Sequence, residues 1–184
     1  MPVTTVDPVT ALVVIDLQKG VASMPTAHPF ETVVANTNAL ASAFRERGLP
    51  IVIVTVDAGA PGRTETVRPA ADRPADWTEV VPALATHPSD ISVVKRTWGA
   101  FTGTDLDERL RQRGVTQVVV TGVATSAGVE STARHAHELG YNVTLATDAM
   151  TDSDPVRHEH SVAQIFPRIG ETGTTGEILR LLTA

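Results

Sequence analysis

Several polar groups sit where apolar runs of this chain stop. Ala11-Leu12-Val13-Val14-Ile15 ends at Asp16, Ile51 to Val56 ends at Asp57, and Ile91-Ser92-Val93-Val94 is terminated by Lys95. A further run, Gln117 to Thr121, enters a turn spanning Gly122 to Gly128. If these runs are parallel strands, their carboxyl ends share one edge, and groups far apart in sequence converge there. Asp16 beside Lys95 makes a partly buried ion pair: the ammonium favours the carboxylate, and burial opposes it. The turn leads into a helix, whose free N–H groups suit an anion or a developing oxyanion. The alternative for each is an ordinary strand-end residue facing solvent. The chain has no cysteine, which removes disulfides, thiolate metal sites and thiol nucleophiles.

The elements that must position these groups follow from the pattern. Continuous β-branched runs of five or six residues read as strands buried on both faces. Between them, Phe30 to Arg47 places Val33, Val34, Thr37, Leu40, Ala41 and Phe44 at helical spacing after Pro29, and Gly48 closes the helix. Thr104 caps a helix over Asp105 to Arg111, acidic at its start and basic at its end. Another helix runs from about Gly128 to Leu139, a fifth strand over Asn142 to Ala146, and a helix from Asp154-Pro155 to about Phe166. A short helix over Trp77 to Leu84, a sixth strand at Arg168-Ile169-Gly170 and a last helix over Thr175 to Leu182 complete the chain. Ala58 to Pro74, rich in Gly, Pro and Arg, is a long loop on the site side or a tolerated surface insertion. Three times a helix end is followed by Gly, a short linker and a strand: Phe44 to Val52, Leu110 to Val119, and His137 to Val143. That is the second half of a βαβ unit repeated, so the expected fold is a three-layer α/β/α sandwich around a six-stranded parallel, Rossmann-like sheet, with residues 1–184 in one domain.

Composition limits the function. Apolar residues make up 42% and charged residues 20% of the 184, ordinary for a globular protein. The net charge of −6 with scattered basic residues argues against nucleic acid or an anionic membrane as partner. No apolar stretch approaches a membrane span, no signal peptide is evident, and a cytoplasmic location is the default expectation.

Leu12 to Gln18, Val94-Lys95 with Ala100 to Leu106, Gly122 to Thr125 with Glu130 to Arg134, and Asn142 to Ala149 together resemble the isochorismatase-like hydrolases, in order and across residues 10 to 182. The resemblance implies homodimers or homotetramers and an Asp–Lys–Cys triad. Asp16 matches its aspartate and Lys95 its lysine; the nucleophile position falls on Gly128. It also implies a cis peptide at Val123–Ala124, with the backbone of Val123, Ala124 and Gly128 aimed into the pocket. Ser126 and Ser131 flank Gly128 without occupying its place in the turn. The isochorismatase branch needs no nucleophilic side chain: an acid, here Asp16, protonates a vinyl ether and water adds. That branch places Gln where Asp57 stands, and Asp57 opposes a dicarboxylate unless Arg63 and Arg68 offset it. Trp98 and Phe101 are pocket-lining or packing residues. The metal-binding branch carries two His after the second strand; here Ala58-Gly59-Ala60 follow Asp57. His135/His137 and His158/His160 are two apart on helices and face different ways. No metal and no cofactor is therefore expected. Two functions remain: a thiol-independent hydrolase of a small molecule, or a catalytically silent relative serving as a ligand-binding or oligomeric scaffold.

Overall fold

The computed structural model describes residues 2–65 and 73–183. The strands are β1 (Thr10–Ile15), β2 (Ile51–Val56), β3 (Ile91–Lys95), β4 (Gln117–Val123), β5 (Asn142–Thr151) and β6 (Glu171–Gly173). The helices are α1 (Lys19–Ala22), α2 (Phe30–Glu46), α3 (Leu106–Arg111), α4 (Glu130–Glu138), α5 (Pro155–His160) and α6 (Thr175–Thr183). All strand pairs are parallel, in the order β3-β2-β1-β4-β5-β6. The order reverses at β1, which pairs with β2 on one side and β4 on the other. Ligands of open α/β sheets bind at such a switch point, outside the carboxyl ends of the strands.

Alternation along β1 shows why its sequence is apolar throughout. Ala11, Val13 and Ile15 pack on one face with Leu106, Leu110, Ala133 and Ala136. Leu12 and Val14 pack on the other with Val33, Leu40, Phe44, Ile178 and Leu182. A helix layer covers each face, so no position of the strand meets water. Burying one such side chain contributes roughly 1.5–3 kcal/mol. Phe44, fully buried on α2, is the position whose truncation to Ala would loosen this layer most, by about 3–5 kcal/mol.

β1 and β4 touch more closely than side chains allow. Gly122 has φ +113°, and a Cβ there would lie 2.0 Å from the Ile15 carbonyl oxygen. Only glycine satisfies both conditions. Its register partner is Ile15, so the β4 turn begins beside Asp16.

The order of elements agrees with the sequence pattern, and the differences have local causes. β5 continues past Ala146 to Thr151, with a register shift against β4 between Val120 and Gly122. The polar pair Thr147-Asp148 interrupts the apolar run and hides the continuation. β6 is Glu171–Gly173, not 168–170: Phe166–Arg168 form a 3-10 turn, and Gly170 passes so near the Val143 carbonyl that a Cβ would meet it at 2.4 Å. No helix forms over Trp77 to Leu84. There the backbone of Val80 bridges Gln18, and Val81 N–H donates to the Leu17 carbonyl. The four-residue α1 has too few residues to show a period. The helix after Asp154 breaks at Ser161 into a π-turn, Ser161–Ile165. The region before α4 is likewise a π-turn, Thr125–Val129. Asp105 rather than Thr104 takes the cap position of α3, with the Thr104 hydroxyl accepting the Leu106 N–H at 3.4 Å. Arg68 and the centre of the 58–74 loop lie outside the described residues.

Candidate active site

Asp16 leaves β1 with φ +53°, in the left-handed region, where Asp is tolerated better than bulky residues. Its N–H donates to the Val54 carbonyl at 2.9 Å, anchoring it to β2. Lys95 enters from the end of β3. Its Nζ donates to Asp16 Oδ2 at 2.7 Å and to the Trp98 carbonyl at 2.7 Å. The two side chains are 8% and 1% exposed. Asp16 Oδ1 is buried and has no hydrogen-bond partner among the described residues. Burial outweighs the charge and hydrogen bond of Lys95 and lifts the Asp16 carboxyl to about 6. The opposition between burial and the ammonium thus ends in favour of burial, and the group can exchange a proton near neutral pH.

The third component is the turn after β4. The Val123–Ala124 peptide is cis. Gly128 lies directly over the pair: a Cβ at this position would be 3.0 Å from Ile15 Cγ2, 3.1 Å from Lys95 Nζ and 3.2 Å from Asp16 Oδ2. Its carbonyl accepts the Thr132 hydroxyl at 2.7 Å, and Thr132 Oγ1 accepts the Ala100 N–H at 3.0 Å. Those bonds tie the turn to the loop that follows Lys95.

Much of the turn's own hydrogen-bonding capacity is taken. The N–H groups of Ala127 and Val129 both reach the Ala124 carbonyl at 3.1 Å. Ser126 donates its N–H and its hydroxyl to Asp152 Oδ2, at 2.7 and 2.8 Å. Asp152 is 1% exposed, and its position in an Asp-Ser-Asp-Pro run concealed this role behind a helix start. The Thr125 hydroxyl pairs with His158 Nδ1 at 2.8 Å. The His158 and His28 rings meet edge-on, 4.6 Å apart, and burial, then the His28 charge, holds His158 below the usual imidazole range. Spacing on α5 alone gives no sign that His158 faces this turn.

The remaining candidates separate. Asp57 is exposed; its N–H donates to the Lys95 carbonyl at 3.0 Å and its own carbonyl accepts from Arg73. It therefore stands at the site's edge. Arg63 is exposed in the loop. Trp98 is 48% exposed and contributes its carbonyl to Lys95. Phe101 is buried, stacked on Tyr141 and tilted against His135, so it packs in the core. Ser131 is half-buried, one helical turn past Gly128. Gln18 closes the Leu12 to Gln18 motif. It is fully buried, donating to the Val56 and Trp77 carbonyls at 3.0 Å each and accepting the Val56 N–H at 2.7 Å. Among the described residues, no three His, Cys, Asp or Glu side chains are grouped as a metal site, and no helix is long and apolar enough to cross a membrane.

Known proteins resemble this chain over most of its length. A model of the isochorismatase domain matches residues 10–177. The uncharacterized isochorismatase family protein YwoC of Bacillus subtilis is 44% identical over 177 residues, covering 92% of each chain. The ureidoacrylate amidohydrolase RutB of Pseudomonas syringae is 30% identical, with 79% of this chain and 72% of that one covered. The solved structure of an isochorismatase family protein from Burkholderia thailandensis superposes with a TM-score of 0.94 at 40% identity, over 98% of both chains.

Proposed function

The chain belongs to the isochorismatase family of hydrolases, and from that premise we propose that it hydrolyses a small molecule without a cysteine nucleophile, using Asp16 as general acid and base. The observation that carries this reading is the half-satisfied buried carboxyl of Asp16, raised to about 6 with Oδ1 unpartnered. An acid that must give up a proton and recover it near neutral pH works best with such a value. Gly128 stands where the family resemblance puts the nucleophile, and no cysteine exists elsewhere to replace it.

A vinyl ether fits this equipment. Asp16 donates its proton to the terminal vinyl carbon, forming a C–H bond and an oxocarbenium ion. Water adds to the cationic carbon and returns a proton to the Asp16 carboxylate. The hemiketal collapses to a keto acid and an alcohol. Lys95 fixes the carboxyl through Oδ2 and leaves Oδ1 for the transfer. Amide hydrolysis through a thiol is closed to this chain, which has no cysteine.

A second reading, a silent ligand-binding or oligomeric scaffold, is favoured by one observation. Gly128 is packed so tightly on the pair that even a Cβ would meet three atoms at 3.0 to 3.2 Å. The test is a panel of vinyl ethers, amides and esters, beginning with isochorismate and ureidoacrylate. Pyruvate release from isochorismate, abolished in Asp16→Asn and declining as pH rises past about 6, supports the acid mechanism. Turnover that instead increases through that range makes Asp16 a base only. No turnover of any class leaves the scaffold.

A further inference from the structure

At the amino edge of the sheet, remote from Asp16, lies a cleft of about 760 Å³. Its charged lining is Arg45, Arg47, Arg113, His87 and Asp90. The single acid is already occupied: Asp90 Oδ2 accepts Arg45 Nη2 and the His87 N–H, both at 2.8 Å, and its side chain is 5% exposed. Arg45 Nη2 also donates to the Ala85 carbonyl, while its Nε is buried with no partner. Arg113 donates to the Arg109 carbonyl at 2.9 Å through one Nη and retains its other donors. Arg47, exposed, has no side-chain partner among the described residues. His87 Nδ1 accepts the Ser89 N–H at 3.2 Å and pairs with the Ser89 hydroxyl at 2.8 Å.

The cleft is therefore rich in donors and positive charge on a chain of net charge −6. Basic residues near the ends of α2 and α3 complement the helix dipoles. That effect alone does not require a buried carboxylate that fastens Arg45 and the 87–90 turn in place. The volume is in the range of small-molecule sites. We propose that this cleft binds a multiply charged oxyanion of metabolite size, a phosphorylated compound in particular, bridged between Arg47 and Arg113 with Arg45 beneath.

Calorimetric titration of the full chain with inorganic pyrophosphate, and separately with citrate, tests this. Saturable one-to-one binding of pyrophosphate is expected, weakened about tenfold or more by Arg47→Glu and again by Arg113→Glu, and unchanged in Asp16→Asn. Both arginines are exposed, so the variants should fold, which circular dichroism checks. Tighter binding of citrate than of pyrophosphate would overturn the phosphate assignment. No saturable binding, binding indifferent to both arginine variants, or binding lost in Asp16→Asn would overturn the site itself. So would a variant-induced change of assembly size in ultracentrifugation, which would make the cleft an interface between copies.

Discussion

At opposite edges of one sheet, two aspartates meet a cation at almost the same distance. Asp16 lies 2.7 Å from Lys95, and Asp90 lies 2.8 Å from Arg45. Their surroundings differ. Asp90 shares one oxygen between a guanidinium and a backbone N–H, shaping the 87–90 turn. Asp16 has one cation on Oδ2 and, among the described residues, no partner on Oδ1, in surroundings that burial makes hostile to charge. One carboxylate is used to fold a loop, and the other is left chemically unfinished. Distance within an ion pair does not separate the two; the count of remaining partners does.

This contrast can be broken, most sharply by activity. Asp16→Asn should lower kcat on a responsive vinyl ether by about 10²–10⁴, the usual contribution of a positioned acid; a loss below tenfold in steady-state assays would remove Asp16 from the chemistry. Stability comes next. Lys95→Met strips the buried pair of its cation and should cost about 3–5 kcal/mol in urea unfolding. Asp90→Asn keeps an acceptor oxygen on a half-exposed Arg45, so about 1–2 kcal/mol is expected. Equal costs would erase the distinction.

The pH dependence gives a finer test. Asp16 titrates near 3.8 when unfolded and at about 6 when folded. Between those values the folded chain holds more protons, so the contribution to stability is complete below about 3.8 and is lost as pH rises through 6. The unfolding free energy of the wild type, relative to Asp16→Asn, should therefore fall by about 2–3 kcal/mol from pH 4 to 7. A rise would mean that Lys95 wins over burial. The smallest effect is expected for Gly128→Ala. Its Cβ demands shifts of a few tenths of an ångström from Ile15, Lys95 and Asp16, worth about 1 kcal/mol of destabilisation. A neutral result in thermal unfolding would show slack over the pair.

Much of this organisation was legible in the residues. Strand runs buried on both faces have no alternative to a covered parallel sheet, and Asp16, Lys95 and the glycine-bearing turn marked its carboxyl edge. What stayed hidden has particular causes. Phe101 and Trp98 sit three apart in one loop, yet one is core and the other half-exposed, because loop side chains follow no period. Asp152 and His158 act on the Ser126 turn across 26 and 33 residues. Such contacts depend on the bulged end of β5, and Thr147-Asp148 conceal that strand's full length. The balance at Asp16 depends on how deeply the pair is buried, a property of the assembled layers that no spacing encodes.

Gln18 carries a consequence beyond holding two strands together. Its single side-chain amide grips Val56 on one side and the Trp77 carbonyl on the other, so one side chain joins the end of β2 to the segment at Trp77. Loop closure costs grow only slowly with length, so residues inserted at the exposed Gly62 or Arg63 should leave this clasp, and with it β2 and Asp57, in register.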